Sequence, residues 1–132
     1  MNKAATNNTY VPWIKHYDSE VPITLKYPET TLDELFRRSV KNHPKASALI
    51  FFGKVISYEK LGRFVNILAT SLEELGLHQG DRVALLLPNC PQYVISYYAI
   101  LSIGGVVVPV NPLSTEPELL HIFSRWEDPG CD

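Results

Sequence analysis

The stretch VALLLPNCPQYVISYYAILSIGGVVVPVNP, residues 83–112, decides the fold. It begins with the continuous apolar run 83–87 and ends with the run 106–110, and such runs are typical of parallel strands covered on both faces. The segment 91–103 between them predicts a helix that is apolar almost all round and therefore deeply packed. Strand, helix and strand in this order predict a right-handed βαβ unit. The expected fold class is therefore α/β, with a parallel βαβ core and flanking helices.

The same stretch has to be distinguished from a membrane span, because no charged residue occurs between positions 83 and 115. A spanning helix needs about 20 predominantly apolar residues in succession. Here four prolines and the pair Gly104-Gly105 interrupt the apolar residues. A buried α/β core is the favoured interpretation.

Two helices are predicted before this core. Thr31 and Glu34 have the spacing of a capping box, and Pro44 predicts that the helix ends near His43. A longer helix is predicted from Tyr58 to Leu75, with Gly76 as its C-terminal stop. The apolar stripes of the two helices are Leu32, Leu35, Phe36 and Val40, and then Leu61, Val65, Leu68, Leu72 and Leu75.

Three other segments complete the organisation. Strands are predicted at 48–52 and 55–57, forming a hairpin around Gly53-Lys54. A last helix is expected to begin at Thr115, with Glu118 as its capping partner. Residues 1–29 are expected to form an extended arm, because prolines recur and no helical period develops. The apolar stripe of the last helix is Leu119, Leu120, Phe123 and Trp126, and the arm aromatics expected to lie against the globular body are Tyr10, Trp13, Tyr17 and Tyr27.

Composition and motifs exclude several function classes. The 12 basic and 14 acidic residues leave a net charge of −2, so the chain lacks the excess of positive charge that is typical of nucleic-acid-binding proteins. The two cysteines, Cys90 and Cys131, match neither a disulfide framework nor a metal pattern, and the four histidines lack zinc-ligand spacing. A phosphate-binding loop, a dinucleotide fingerprint and a nucleophile elbow are also absent. No catalytic residue and no metal site are therefore predicted, and a Rossmann-type nucleotide-binding protein is disfavoured.

Three segments carry a resemblance to a known family. ISYEKL (56–61), LGLHQGDRVA (75–84) and LSIGGVVVPVNP (101–112) resemble, in order and spacing, core motifs of the adenylate-forming, or acyl-CoA synthetase, superfamily. NPLST (111–115) and an N-terminal arm containing Trp13 are similar to the long-chain fatty-acid–CoA ligases within it. Residues 124–132 depart from the family pattern.

The resemblance implies a function. Family members join a carboxylic acid to ATP, with Mg²⁺, to give an acyl-adenylate, and then transfer the acyl group to coenzyme A. It further implies that residues 30–132 are the first part of a large N-terminal domain, and that the chain is an inactive fragment ending before the ATP-phosphate loop. In related synthetases the loop matching Asn111, Pro112 and Leu113 lies near CoA, so these residues are the candidate cofactor-binding site.

Alternatives to this reading stay open. The chain could be a non-catalytic partner-binding module with the same fold, or belong to an aryl-CoA ligase or a peptide-synthetase adenylation domain. The expected location is the cytoplasm, with possible peripheral membrane contact. A sheet edge left unpaired is expected to make the fragment self-associate. Acyl chain length cannot be predicted from these residues.

Overall fold

The computed structural model describes residues 12–25 and 27–125. The predicted positions Tyr10, Trp126 and Cys131 lie outside the described residues. After a short 3₁₀ turn at Ile14–His16, the elements are α1 (Leu32–Asn42), β1 (Ser47–Phe51), β2 (Lys54–Ser57), α2 (Tyr58–Glu74), β3 (Arg82–Leu85), α3 (Pro91–Ser102), β4 (Val106–Pro109) and α4 (Glu116–Ser124). β1 pairs with β2 in an antiparallel hairpin, and β3 pairs with β4 in parallel. The predicted α/β class and parallel βαβ core are confirmed.

The parallel pair is shorter than the predicted strands, and a proline explains where it stops. The Val106 N–H donates to the Asp81 carbonyl at 2.8 Å, and the Val110 N–H donates to the Leu85 carbonyl at 3.0 Å. In a parallel ladder alternate residues of one strand donate to the same neighbour, so the next donor would be residue 112. That residue is a proline, which has no N–H, and the pairing cannot extend to Leu87.

Helices α1, α2 and α3 enclose the core. Its buried members are Phe36, Leu61, Val65, Ala69 and Ala99. The rings of Phe36 and Tyr98 stack with centroids 4.2 Å apart, and burial raises the pKa of the Tyr98 hydroxyl above its ordinary value of 10.0. The core thus ties the βαβ helix α3 to the helices that precede it in the chain.

The predicted helix ends are confirmed. At α1 the Glu34 N–H donates to the Thr31 hydroxyl at 3.2 Å, and the Glu34 carboxylate accepts from the Thr31 N–H at 2.8 Å. The 2.7 Å bond from the Thr30 hydroxyl and the bond from the Thr31 N–H to this carboxylate lower the pKa of Glu34 from its ordinary value of 4.5. The Glu118 carboxylate likewise accepts from the Thr115 N–H at 2.7 Å, at the start of α4.

The hairpin turn differs from the prediction by one residue. Its central residues are Phe52 (φ +46°) and Gly53 (φ +74°), and Phe51 pairs with Lys54. Two consecutive positive φ angles define the type I′ turn that suits a two-residue hairpin loop. Asparagine is the usual residue at the first position, so a phenylalanine there gave no sequence signal for the turn.

Several packing predictions were wrong. In α3 only Ala99 and Ile100 are buried, because the described residues cover the other faces of this helix only partly; apart from the exposed Gln92, its remaining residues are half-buried. Leu75, predicted as the last member of the α2 stripe, caps the helix and is 78% exposed. Leu32 and Leu35 of the α1 stripe are also exposed, and so are Leu120 and Phe123 of the α4 stripe. The arm aromatics Trp13, Tyr17 and Tyr27 are exposed rather than packed on the body.

Candidate functional site

The carboxyl ends of β3 and β4 lie at one edge of the parallel sheet. Ligands of open parallel sheets bind beyond this edge. It is formed by the loop 86–90, which leads into α3, and the loop 110–115, which leads into α4. No charged side chain occurs in either loop. The edge can therefore offer backbone hydrogen bonds and apolar contacts to a ligand, but no charge to a phosphate group.

The candidate residues Asn111, Pro112 and Leu113 form a compact turn. The Asn111 side-chain oxygen accepts from the Leu113 N–H at 3.0 Å, and its backbone carbonyl accepts from the Ser114 N–H at 2.9 Å. This is an Asx-type turn, in which the side chain replaces a backbone acceptor. The residue before it, Val110, is buried and anchors the turn to the sheet. Asn111 thus has a structural role, and the turn fixes the direction in which Leu113 points.

Leu113 is the exposed member of this turn, with 86% of its surface accessible. A single exposed leucine is common and needs no explanation. At the carboxyl edge of a parallel sheet, however, it is positioned where a ligand would approach.

The loop that follows β3 lines a second feature, a cleft that the sequence did not predict. A small cleft of about 190 Å³ lies between hairpin strand β1 and the start of α3. Leu49, Ile50 and Phe51 line one side, and Asn89 and Cys90 lie on the other. Cys90 is the N-cap residue of α3 and makes no side-chain capping bond. Asn111, Pro112 and Leu113 do not line this cleft, so the structure does not join the two strand ends into one pocket.

Neither a metal-binding cluster nor a membrane-spanning helix occurs in the part of the chain that the structure describes. Residues 12–25 and 27–125 contain no group of three or more His, Cys, Asp or Glu side chains that could hold a metal ion. We assign these residues no metal contact. Among the same residues, no helix combines the length and apolar character needed to cross a bilayer.

Comparisons with known proteins agree with this geometry. The family model described as AMP-binding enzyme matches residues 36–128. A long-chain-fatty-acid–CoA ligase of Bacillus subtilis is 44% identical over 108 residues, which are 82% of this chain and 19% of the relative. A long-chain-fatty-acid–CoA ligase of Escherichia coli O157:H7 is 38% identical over 112 residues, covering 83% of this chain and 20% of the relative. The chain thus spans about a fifth of the length of these curated relatives.

A solved structure shows the same architecture. The N-terminal subdomain of Klebsiella oxytoca NpsA, in complex with anthranilyl-AMSN, matches with a TM-score of 0.69 and 32% sequence identity. The match covers 70% of this chain and 24% of the NpsA subdomain. The predicted N-terminal portion of an adenylate-forming fold is confirmed by this similarity.

Proposed function

We propose that this chain, which belongs to the AMP-binding enzyme family, is part of an ATP-dependent long-chain fatty-acid–CoA ligase. The observation that carries the proposal is an alignment to ligases of that name that covers more than four fifths of this chain, with 44% and 38% of the aligned residues identical. The predicted family is thereby confirmed, whereas the acid on which the whole protein acts is part of the proposal.

The proposed reaction has two steps. A carboxylate oxygen of the fatty acid attacks the α-phosphorus of ATP, which gives acyl-AMP and releases pyrophosphate. The thiol of CoA, as its thiolate, then attacks the acyl carbonyl carbon, which forms the thioester and releases AMP. Charge develops on phosphate oxygens in the first step, and cationic groups have to stabilise it. The uncharged carboxyl edge of this chain has no such group, so we assign the first step to other parts of the protein.

The proposal includes Mg²⁺ as the companion of ATP, a cytoplasmic location and peripheral contact with a membrane. Bound to ATP, Mg²⁺ would partly neutralise the phosphate charges. Its site is assigned to parts of the protein outside the described residues.

For this chain itself we propose a contact with CoA at Asn111, Pro112 and Leu113. Two observations support it: the turn lies at the carboxyl edge of the sheet, and Leu113 is held there by the Asn111 side chain. An apolar side chain at this place can pack against the uncharged part of CoA without opposing its phosphates. Asn111 and Pro112 would keep the turn in position.

The test of this contact is a pair of measurements on Leu113→Glu in the longer protein that contains this chain. An acidic side chain would repel the CoA phosphates, and the repulsion would weaken as salt rises. We expect a higher KM for CoA in thioester formation and unchanged acid-dependent pyrophosphate exchange in the first step. Leu113→Gln is the uncharged control. Equal loss in both steps would indicate a folding defect and contradict the contact, as would no loss in either step.

Three other functions are compatible with the fold, and one experiment separates them from the proposal. The match to NpsA, whose structure contains an anthranilyl ligand, favours an aryl acid. A non-catalytic module would use no acid. Pyrophosphate exchange by the longer protein should be measured with palmitate, anthranilate and single amino acids. The proposal expects exchange with palmitate. Exchange with anthranilate or an amino acid alone would contradict it, and absence of exchange with every acid would favour the module.

A further inference from the structure

A groove of about 550 Å³ runs between α1 and α2, on elements that do not form the carboxyl edge of the sheet. The helices approach closely at Gly62, where an added Cβ would lie 3.0 Å from Val40 Cγ1. Because residue 62 has no side chain, the two helices can approach closely here, and the Val40 side chain occupies the space beside Gly62. The volume falls within the range of about 300–1,000 Å³ that is usual for ligand sites.

The lining of the groove is apolar at its base. Phe36 and Val65 are buried members of the core, and Val40 is half-buried between them and the surface. Ile67 lines the same groove and is 60% exposed, with no apolar partner covering most of its side chain. Such a surface gains free energy when an apolar group removes it from water.

The edges of the groove carry charge. Arg37 and Lys41 of α1 line it opposite Glu59 and Arg63 of α2. The Arg37 guanidinium is 2.6 Å from the Asp33 carboxylate, which is the one salt bridge found within residues 12–25 and 27–125. Asp33 offsets the charge of Arg37, and Glu59 offsets one of the two remaining cations. The groove thus has a surplus of one positive charge beside its apolar base.

We propose that this groove binds one molecule of a long-chain fatty acid as its anion, with the carboxylate near Lys41 and Arg63 and the chain along Val40 and Ile67. A single surplus charge matches a single carboxylate and is too small for a polyphosphate. The groove is concave and lies between two helices, so a flat bilayer surface cannot enter it, whereas a single acyl chain can. The choice of a fatty acid over another amphiphilic anion rests on the proposed function. The site would hold substrate outside the reaction centre.

The test uses the 132-residue chain, freed of lipid, and cis-parinaric acid as a fluorescent C18 probe below its micellar concentration. We expect saturable binding of one probe per chain, with a Kd that rises with salt because exposed charges are screened. The double variant Lys41→Gln, Arg63→Gln should raise the Kd at least tenfold. Lys54→Gln is the matched control, because Lys54 is exposed on the hairpin and lies outside the groove. It should bind as the wild type does.

The base of the groove is tested in the same way. Ile67→Asp should abolish binding, because it places a negative charge beside the acyl chain. Ile50→Asp is its control, because Ile50 is 72% exposed on β1 and lies outside this groove. Far-UV circular dichroism establishes that each variant is folded. If Ile67→Asp proves unfolded, the milder Ile67→Ser is expected to weaken binding relative to Ile50→Ser.

Four outcomes would overturn the proposal: no saturable binding, equal weakening by the Lys54 control, equal affinity for the methyl ester of the probe, or binding to anionic phosphatidylglycerol vesicles without binding to the monomeric acid.

The failure of this inference is distinguishable from that of the proposed function. If the longer protein activates palmitate while this chain does not bind the probe, only the groove assignment fails. If the chain binds the probe while the longer protein activates only an aryl acid, only the ligase assignment fails.

Discussion

Gly105 is a residue at which the βαβ unit is sensitive to an added methyl group. An ideal Cβ there would lie 2.8 Å from Ile100 Cγ2 and 3.2 Å from the Ile100 carbonyl oxygen. Ile100 is almost fully buried, and its carbonyl accepts the Gly105 N–H at 2.9 Å. Neither contact can relax by a simple rotation of a surface side chain. Gly105→Ala should therefore strain the junction between α3 and β4.

The expected change in the free energy of unfolding of Gly105→Ala follows from two opposing effects. Overpacking of a core usually costs about 1–3 kcal/mol. Replacement of glycine by alanine lowers the entropy of the unfolded chain and returns about 0.4–1 kcal/mol. We expect Gly105→Ala to lower the free energy of unfolding by about 1–2 kcal/mol. With a urea m-value of about 1–2 kcal/mol per molar, the unfolding midpoint should fall by about 1 M.

The assay is urea unfolding followed by circular dichroism, with Ile100→Leu as the second arm of a double-mutant cycle. Leucine lacks the Cγ2 methyl group that the new Cβ would contact. The double variant should therefore be more stable than the sum of the two single effects predicts, by about 0.5 kcal/mol or more. A Gly105→Ala midpoint equal to that of the wild type would refute the reasoning, and so would strict additivity of the two substitutions.

Three further predictions concern stability, assembly and activity. Hydrogen bonds lower the pKa of Glu34, so the stability that its carboxylate contributes is complete above pH 4.5 and is lost as the pH falls through the lowered pKa. Glu34→Gln should therefore destabilise α1 at pH 7 but not at pH 2. An equal loss of stability at both pH values would contradict this prediction. The β3–β4 sheet has two strands in the described part of the chain, so the isolated chain should self-associate through unpaired edges. A monodisperse monomer in sedimentation at micromolar concentration would show otherwise. The isolated chain should not support palmitate-dependent pyrophosphate exchange, because its sequence has no phosphate-binding loop. Exchange by a preparation of this chain that contains no other synthetase would contradict this prediction.

The sequence predicted those features whose causes are local. Thr31 and Glu34 are three residues apart, and their capping box depends on no distant contact. The predicted strand ends were less accurate, because the failure of β3 to extend to Leu87 becomes visible only when the register makes Pro112, which has no N–H, the next donor. The predicted hairpin turn was one residue away from the observed one, because Phe52 adopts a positive φ that its residue type does not suggest.

The two candidate sites differ in the same respect: the causes of one are local in the sequence, and those of the other are not. Asn111, Pro112 and Leu113 are consecutive, and their turn could be expected from an asparagine followed by a proline. Lys41 and Arg63 come from different helices, and their shared groove depends on the close contact between Gly62 and Val40. The linear sequence contains no run of Lys and Arg residues longer than the pair Arg37-Arg38. Charges that converge through helix packing have no signal in a linear sequence.

The most direct test of the account is product formation by the longer protein that contains this chain. The purified protein should be incubated with palmitate, ATP, Mg²⁺ and CoA, and the products identified by mass spectrometry. The account predicts palmitoyl-CoA with equimolar AMP and pyrophosphate. Formation of ADP and phosphate in place of AMP and pyrophosphate, or of no palmitoyl-CoA by folded protein, would contradict it.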